Sequence, residues 1–417
     1  MFSPNKLFED ALGIKSPWSI KDVKFDEKKK RLDIYIDFKK GSEFYYEDKE
    51  SGIKGTFKAY DTVEKAWRHL NFFQHEAYLH ARVPRVKLDN TKTRRVKPPW
   101  EGVNSGFTLL FEALILQLAI HMPVNVVSKI TGVSNYKLWN ILGKYIDAAL
   151  ESNDYSNITT IGLDETSAKR GHSYISLFVD LDRRRTIFIA NGKDKSTVKA
   201  FKEDFTAHNG NIDNITDVSC DMSPAFISGV SEYLPNAKIT FDKFHIMKLI
   251  NKAVDDVRRE EQQGNPLFKN TRYIFLKNEK NLTNHQREKL MELKLSKTRL
   301  KSIRALSIRE SFQDIYKSTN TEEFEILLKK WYYWATYSRL YHIKKVAKTI
   351  KAHWDGIVRW KKSQINNGVL EGLNSVIQAA KSKARGFKTL NNYKIMAYLV
   401  TADLDFSTLN KYYLPTV

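Results

Sequence analysis

Two aspartates in the sequence lie at the ends of predicted strands, where functional side chains of α/β proteins are often found. Asp164 ends an apolar, β-branched run and lies on the face of the predicted strand opposite Ile161 and Leu163. Asp221 closes a second such run, immediately before a helix is predicted to begin. Ligands of open α/β sheets gather at the carboxyl ends of strands, so the two carboxylates together favour a shared site for a hard cation. For Asp221 alone, a strand-end turn residue is an equal alternative.

A third carboxylate, Glu371, leads the polar side of a helix predicted between positions 366 and 386. Asn366 or Asn367 can cap its first amides, and Gly386 suits the left-handed residue that ends a helix. The apolar residues that recur at helical spacing, and are expected to form the buried stripe, are Val369, Leu373, Val376, Ile377 and Ala380. The polar and then basic ridge on the other side contains Glu371, Asn374, Ser375, Gln378, Lys381 and Arg385.

This ridge fits two interpretations. A metal ligand at one end of a helix, with the other end along a phosphate backbone, requires acidic and then basic residues in this order. A solvated face, in which a first-turn glutamate complements the helix dipole, has the same order. The helix alone does not decide between them.

The charge of the chain indicates a polyanionic partner. The 417 residues carry a formal net charge of +21, and their 42% hydrophobic content is typical of a globular protein. Nucleic acid is the leading candidate and a membrane is not expected, because no apolar run approaches the roughly 20 residues of a span and no signal peptide opens the sequence. The single cysteine, Cys220, excludes an intrachain disulfide and fits a reducing cytoplasm.

Residues 1–100 are predicted to form a small β-rich domain. The alternation of apolar and polar residues from Leu32 to Phe38 predicts a half-buried strand after a basic turn. The histidines of this region have no cysteine beside them and match no common zinc spacing, so we expect no structural zinc; they are His69, His75 and His80. A basic loop follows, for which DNA backbone contact and simple solvation are both open; its cations include Arg85, Lys87, Arg94 and Arg95.

Residues 101–152 have the outline of a helix-turn-helix. An apolar helix is predicted from Phe107 to Leu118, and Pro123 opens the next one. A glycine-bearing turn follows at 131–133, and Ser134 caps another helix. Any helical hairpin can show this pattern, but a strongly basic chain favours DNA binding. The residues expected to face the groove are Asn135, Tyr136 and Lys137.

Residues 153–247 predict an α/β domain with a mixed sheet. Strands are predicted at 158–164, 174–180, 186–190, 215–221 and 237–241, and helices at 196–207, at 224–233 and from Lys243 onward. An antiparallel start followed by alternating strands and helices is typical of this class. Residues 248–355 are predicted to be almost entirely helical, with a capping box at 283–286.

Several of these segments resemble the DDE transposases of insertion sequences, and most closely the ISL3 family. They are 161–165, 220–226, 241–245 and the Glu371 helix through Phe387. The stretches from Trp67 to Val86 and from Gly106 to Met122 are similar as well, so the resemblance covers most of the chain. Relatives often carry paired cysteines near the N-terminus for a zinc-binding fold. This chain has none there, which implies a metal-free remnant of that domain.

The resemblance implies an RNase H-like catalytic core from residues 153–247 and 356–417, with the helical residues 248–355 inserted before the last carboxylate. The separations agree, because 57 positions lead from Asp164 to Asp221 and 150 more lead to the glutamate. The implied cofactor is a pair of Mg²⁺ ions, which Mn²⁺ can replace.

The resemblance also implies a role for each acid. Asp164 bridges both ions, and Asp221 and Glu371 each hold one. Asp242 and His245 match an Asp-x-x-His element that lies beside the active site in related enzymes. We expect these two residues to support the metal ligands or to contact a flipped base, with a structural strand-end role as the alternative.

The implied activity is that of a DNA transposase, which binds the terminal inverted repeats of an insertion sequence and catalyses metal-dependent strand cleavage and strand transfer. We expect double-stranded DNA as its partner, a homodimer in the DNA complex, and a place at the nucleoid in a bacterial cytoplasm. A domesticated or inactive DNA-binding regulator and an RNase H-like structure-selective nuclease are the alternatives. The residues expected along the scissile strand, unless the cations only complement the helix dipole, are Gln378, Lys381, Lys383 and Arg385.

Overall fold

A computed structural model describes residues 4–47, 52–88, 92–104, 106–169, 173–296, 300–363, 365 and 368–406. They belong to two compact units, one within Met1–Ser152 together with Ala380–Val417, and the other within Asn153–Ala379. The elements of the first unit up to residue 152 are α1 (Pro4–Leu12), β1 (Trp18–Asp26), β2 (Arg31–Phe38), β3 (Glu43–Glu47), β4 (Lys54–Phe72), β5 (His75–Lys87), β6 (Thr93–Arg95), α2 (Leu109–His121), α3 (Val124–Thr131) and α4 (Asn135–Glu151).

A six-stranded sheet forms the N-terminal part of the first unit. Its order is β1-β2-β5-β4-β3, with β6 paired to β5. The alternation predicted for β2 is confirmed, because Leu32, Ile34, Ile36 and Phe38 are buried while the residues between them are not. The basic run at 28–31 leads from β1 into the antiparallel β2, as the predicted turn requires.

The three helices that follow have the predicted helix-turn-helix arrangement. Gly132 ends α3 with a φ of +71° and donates its backbone N–H to the Ser128 carbonyl at 2.9 Å. That left-handed conformation is one that glycine adopts without a steric penalty. α4 then buries Leu138, Ile141 and Leu142.

The second unit contains a five-stranded sheet and a long helical segment. Its elements are β7 (Thr160–Lys169), β8 (Ser173–Asp180), β9 (Arg185–Asn191), α5 (Lys195–Ala207), β10 (Asp217–Cys220), α6 (Pro224–Tyr233), β11 (Lys238–Phe241), α7 (Lys243–Gln262), α8 (Arg272–Leu276), α9 (Asn284–Leu295), α10 (Lys301–Ile315), α11 (Thr321–Tyr337), α12 (Tyr341–Ala352), α13 (Trp354–Ser363) and α14 (Gly368–Lys383). A last helix, α15 (Leu390–Thr401), belongs to the first unit.

The sheet of the second unit is mixed, as predicted. Its order is β11-β10-β7-β8-β9. β7, β8 and β9 are antiparallel neighbours, whereas β10 and β11 run parallel to β7. The core on the α5 and α6 side includes Ile161, Leu163, Phe178, Phe201 and Val218, all essentially inaccessible. Parallel pairing of β7, β10 and β11 brings their carboxyl ends to one edge.

The helical segment confirms the predicted capping box. Thr283 accepts from the backbone N–H of Gln286, whose side chain accepts from the backbone N–H of Thr283. The segment packs against the sheet through one continuous core that includes Ile246, Phe312 and Trp331. The compact unit that contains β7–β11 ends at Ala379, whereas the predicted catalytic core continued to residue 417.

The predicted buried stripe of α14 was correct at Ile377 and wrong at Val376, and it missed Leu370. The buried residues are Leu370 and Ile377, and Val376 keeps 45% of its surface exposed. The reason is that α14 turns a partly polar edge towards β7, which a search for apolar periodicity does not detect. Gly386 has a left-handed φ of +93° after the helix, as predicted. The proposed caps Asn366 and Asn367 lie outside the described residues.

Candidate active site

Three aspartates form a row where β10 and β11 end, beside the middle of β7; Asp164 was predicted to end its strand, but β7 continues to Lys169 because it stays paired with β8. β10 pairs with β7 so that Ser219 lies opposite Gly162, and the same register continued by two residues places Asp221 level with Asp164. β11 pairs with β10 so that Phe241 lies opposite Cys220, and one further residue places Asp242 level with Asp221. Since neighbouring strands are about 4.8 Å apart, this register makes the three carboxylates neighbours.

Local hydrogen bonds hold two of these carboxylates at the starts of helices. Asp221 Oδ1 accepts from the Ser223 backbone N–H at 2.9 Å in the turn that leads into α6. Asp242 is the N-cap of α7, and its Oδ1 accepts from the Phe244 N–H at 2.9 Å. His245 follows in the first turn of α7, with its Nε2 3.9 Å from Asp242 Oδ2. The Asp-x-x-His spacing therefore places a cap and a helix residue on one face.

The electrostatics of the row centre on Asp164. The pKa of its carboxyl is raised to about 6, mainly by burial and in smaller part by the negative charges of Asp221 and Asp242. The Glu165 backbone N–H and the charge of His245 act in the opposite direction. Burial and neighbouring acids destabilise the ionised form of this carboxyl, and a nearby cation would stabilise that form.

α14 contacts β7 at regular intervals along the strand. Asn374 Nδ2 donates to Asp164 Oδ2 at 2.6 Å, and Gln378 Nε2 donates to Thr166 Oγ1 at 2.6 Å. One turn earlier, Leu370 packs over Gly162 so closely that a Cβ there would lie 2.9 Å from its Cδ2. Four helix residues rise about 6 Å and two strand residues about 6.7 Å, so the two spacings match. We call these three contacts the α14 rungs.

Glu371 does not join the aspartate row. It lies in the first turn of α14, between the Leu370 and Asn374 rungs, and its side chain is exposed. Among the described residues, no three His, Cys, Asp or Glu side chains are close enough to hold one metal ion. The structure places Asp164, Asp221 and Asp242 on neighbouring positions of the sheet, with His245 near Asp242 and Glu371 outside the row, but not close enough together for three of them to hold one ion.

The donors of this edge nevertheless fit a hard divalent cation. Asp164 and Asp221 supply carboxylate oxygens on adjacent strands, which are the ligands that Mg²⁺ and Mn²⁺ prefer. Asn374 adds a buried side-chain oxygen, Oδ1, which has no hydrogen-bond partner among the described residues. A cation here would neutralise the negative charge of the acidic row and would give that oxygen a partner.

The predicted groove-facing residues lie together in the first turn of α4. Asn135, Tyr136 and Lys137 are all exposed, and Tyr136 retains 77% of its surface. The Lys137 ammonium lies 5.7 Å from the centre of the Phe107 ring. This turn follows the tight Gly132 corner, where a recognition helix presents its first residues.

The predicted basic loop is partly engaged in ion pairs. Arg85 is paired with Asp61, and Arg95 donates two hydrogen bonds to the buried Glu101 carboxylate, at 2.8 and 3.1 Å. The Lys87 ammonium lies 5.7 Å from the centre of the Tyr60 ring, and Arg94 is exposed. Arg95 therefore stabilises its own domain whatever else it contacts.

The predicted cations at the end of α14 have different surroundings within the first unit. Lys381 lies 5.8 Å from the centre of the Tyr393 ring, and Lys383 Nζ donates to the His121 backbone carbonyl at 3.2 Å. Arg385 follows the helix in the left-handed region, at φ +57°, and is exposed. Of the three, Arg385 is the most open to a phosphate backbone.

Comparison with known proteins identifies the family. Residues 161–397, more than half of the chain, match the ISL3 DDE family model, which is described as a transposase. The chain belongs to the ISL3 family of transposases. Residues 96–146 of this transposase match the helix-turn-helix domain of transposase family ISL3, so the helix-turn-helix prediction is confirmed. The family is one of enzymes that cleave and transfer DNA strands and generally use divalent metal ions such as Mg²⁺.

Named relatives span nearly the whole chain. The transposase for insertion sequence element IS1557 of Mycobacterium tuberculosis is 26% identical over 432 aligned residues, which cover 95% of each chain. The transposase for insertion sequence element IS1001 of Bordetella parapertussis is 24% identical over 342 residues, covering 79% of this chain and 83% of that one. They favour the transposase over the alternative of an inactive regulator. Within the described residues, no helix is long and apolar enough to cross a membrane.

One feature of the site was missed from the sequence. Asn374 appeared only as part of a polar ridge, and Gln378 was expected along DNA, whereas both amides are bonded to β7. The signal was present, because Leu370, Asn374 and Gln378 recur at intervals of four residues on one helix face. Amides at core-facing positions of an otherwise apolar face indicate a polar docking surface.

Proposed function

We propose that this transposase cuts DNA at the terminal inverted repeats of its element and joins the freed 3′-hydroxyl to target DNA, with two Mg²⁺ ions that Mn²⁺ can replace. The observation that carries the proposal is the level placement of Asp164 and Asp221 on adjacent parallel strands. The strand order β9-β8-β7-β10-β11, with only the last two strands parallel to β7, supports an RNase H-like core.

The carboxylates of the row have distinct tasks in this proposal. Asp164, flanked by Asp221 and by the Asn374 rung, holds the shared position, and Asp221 holds the second. Asp164 and Asp221 would hold divalent ions there, which would supply an activated nucleophile and charge neutralisation at the phosphate and the leaving oxygen. Glu371 completes the ligand set when DNA is bound, because its helix is already held on β7 by the rungs on either side of it.

Asp242 and His245 act on the row from its β11 end. Asp242 is committed to capping α7, so it contributes charge and orientation more readily than a ligand oxygen. His245 offsets the negative charge that the three aspartates share, as its effect on the Asp164 pKa indicates. A contact with an unpaired base remains the alternative role for His245.

The first unit supplies the DNA-binding surface in this proposal. The first turn of α4 enters the major groove with Asn135, Tyr136 and Lys137, and Lys87, Arg94 and Arg385 contact phosphates. Two element ends must reach one target site, so the DNA complex contains two copies of the chain, acting on nucleoid DNA in a bacterial cytoplasm.

The test uses labelled duplexes that carry an element end. Asp164→Asn should abolish cleavage and joining in Mg²⁺ or Mn²⁺ while end binding stays near wild type. Glu165→Gln is the matched control, since its carboxylate points away from Asp164 on the same strand and pairs with Lys193 at 3.5 Å. Strand transfer by Asp164→Asn would reject the site. Cleavage of branched or hybrid substrates without joining by the wild type would favour the nuclease alternative.

A further inference from the structure

The side-chain amide of Asn374 is only half satisfied within the described part of the chain. Its Nδ2 donates to Asp164 Oδ2 at 2.6 Å, whereas its Oδ1 is buried without a hydrogen-bond partner. Burying a polar atom without a partner is unfavourable, so most buried side-chain polar atoms in proteins are bonded. The unpartnered Asn374 Oδ1 beside the acidic row therefore indicates a binding partner that is not a hydrogen-bond donor of the described chain.

The orientation of this amide is fixed by chemistry. An ionised carboxylate has no hydrogen to donate, so only the nitrogen of the amide can face Asp164. Exchanging the two amide atoms would bring two acceptor oxygens together at 2.6 Å. Beside an ionised Asp164 carboxylate, Oδ1 therefore faces away from it.

The α14 rungs keep Asn374 in this place. Leu370 packs over Gly162 on one side, and Gln378 is bonded to Thr166 on the other. The position of the amide therefore does not depend on its own hydrogen bond alone. Glu371 lies one turn before it, about 60° around the helix axis, so both side chains leave α14 on the same side.

We propose that Asn374 Oδ1 is a neutral ligand of the divalent cation held at Asp164, which rests on the proposed function. Hard divalent ions accept amide oxygens together with carboxylates. A neutral oxygen adds a ligand without adding charge to a row that already contains Asp164, Asp221 and Asp242. The helix then contributes a pair of ligands, Glu371 and Asn374, in the pattern Glu-x-x-Asn.

A purely structural role is the competing explanation. In that explanation Asn374 serves only as a rung. Gln378 provides a matched comparison, because it makes the same kind of 2.6 Å amide bond to β7. Its partner is the Thr166 hydroxyl and not a carboxylate of the row. A role in docking alone predicts the same behaviour from both residues, and a ligand role does not.

The experiment is a calorimetric titration of the full-length protein with Mn²⁺. Asn374→Ala should weaken Mn²⁺ binding about 10- to 100-fold. Asn374→Asp keeps an oxygen but loses the donor to Asp164, and should bind Mn²⁺ at least as tightly as the wild type. Gln378→Ala should weaken Mn²⁺ binding much less than Asn374→Ala, because Leu370 still packs on Gly162 and holds α14 on β7. Unfolding midpoints in EDTA show whether each variant is folded.

Each outcome decides the inference. Unchanged Mn²⁺ binding by Asn374→Ala, or equal losses in Asn374→Ala and Gln378→Ala, would overturn the ligand role. Loss of binding in Asn374→Asp would overturn it too, because the donor and not the oxygen would then matter. These results leave the proposed function standing as long as Asp164→Asn abolishes Mn²⁺ binding. If Asp164→Asn binds Mn²⁺ like the wild type, the proposed metal site at Asp164 is wrong, and with it the proposed function.

Discussion

Asp221 lies level with Asp164 because β10 and β7 pair in parallel with Ser219 opposite Gly162. Two residues that are 57 positions apart in the sequence become neighbours through one strand pairing. The same pairing continued into β11 adds Asp242. The acidic row is thus a consequence of sheet register, and a change that shifted β10 against β7 would separate Asp221 from Asp164.

The pH dependence of stability tests the environment of Asp164. Its folded pKa of about 6 lies above the value of about 3.9 expected in an unfolded chain, so this group favours folding at low pH and loses that contribution as pH rises through 6. Asp164→Asn, which has no such titration, should therefore be more stable than the wild type at pH 7.5 in EDTA, by roughly 2–3 kcal/mol.

Urea unfolding at pH 4 and at pH 7.5 measures this difference. The advantage of the variant should disappear at the lower pH, and Mg²⁺ should reduce it at the higher one by stabilising only the wild type. A variant that is less stable than the wild type at pH 7.5 would contradict a carboxylate whose ionised form is destabilised by burial at this position.

The contact between Gly162 and Leu370 predicts a compensating pair of substitutions. Gly162→Ala introduces a methyl group 2.9 Å from the side chains of both Leu370 and Leu181, and should destabilise the protein by about 1–3 kcal/mol. Leu370→Ala should cost about 2–5 kcal/mol through the cavity it leaves. The double variant should lose less than the sum, because the new methyl group occupies part of that cavity. Strict additivity in urea unfolding would show that α14 does not pack on β7 here.

The first turn of α4 predicts a loss of sequence-specific binding. Tyr136→Ala removes a side chain that is 77% exposed, and should lower affinity for the element end about 10- to 100-fold with little effect on random duplex DNA. Tyr45→Ala, another tyrosine of the same unit with 60% exposure, is the control. Fluorescence anisotropy with both duplexes measures the difference. An equal loss on both duplexes would assign Tyr136 to the backbone and not to the bases.

Arg385 predicts a change in salt dependence. Arg385→Ala should weaken binding to all duplexes alike and reduce the slope of log affinity against log salt by about one. Lys6→Ala is the control, since Lys6 is exposed and already paired with Asp10 at 2.9 Å. An unchanged slope for Arg385→Ala would show that Arg385 does not contact phosphate and only complements the helix dipole.

Local patterns predicted the elements of the catalytic sheet closely. The helix at 224–233 was placed without error, and the capping box at Thr283 was confirmed, because both depend on residues within one turn. Strand ends were less accurate. β7 continues to Lys169 and β10 stops at Cys220, since pairing with neighbouring strands decides where a ladder ends.

Features that depend on distant residues could not be predicted. The alternation of β2 identified that strand, but the long hairpin of β4 and β5 was not resolved into strands, because its aromatic and basic residues hide the period of two. The face of α14 was misjudged for a related reason. Asn374 is a polar residue at a docking position, and only the location of Asp164 on the neighbouring strand explains it.

Anomalous diffraction from crystals of the transposase bound to an element-end duplex and Mn²⁺ tests the metal site most directly. The account predicts Mn²⁺ peaks at about 2.1 Å from the Asp164 carboxylate, the distance that Mg²⁺ takes to oxygen, with Asp221 as a second ligand and Glu371 brought into the site. Ordered Mn²⁺ away from Asp164, in a complex that still cleaves its DNA, would contradict it.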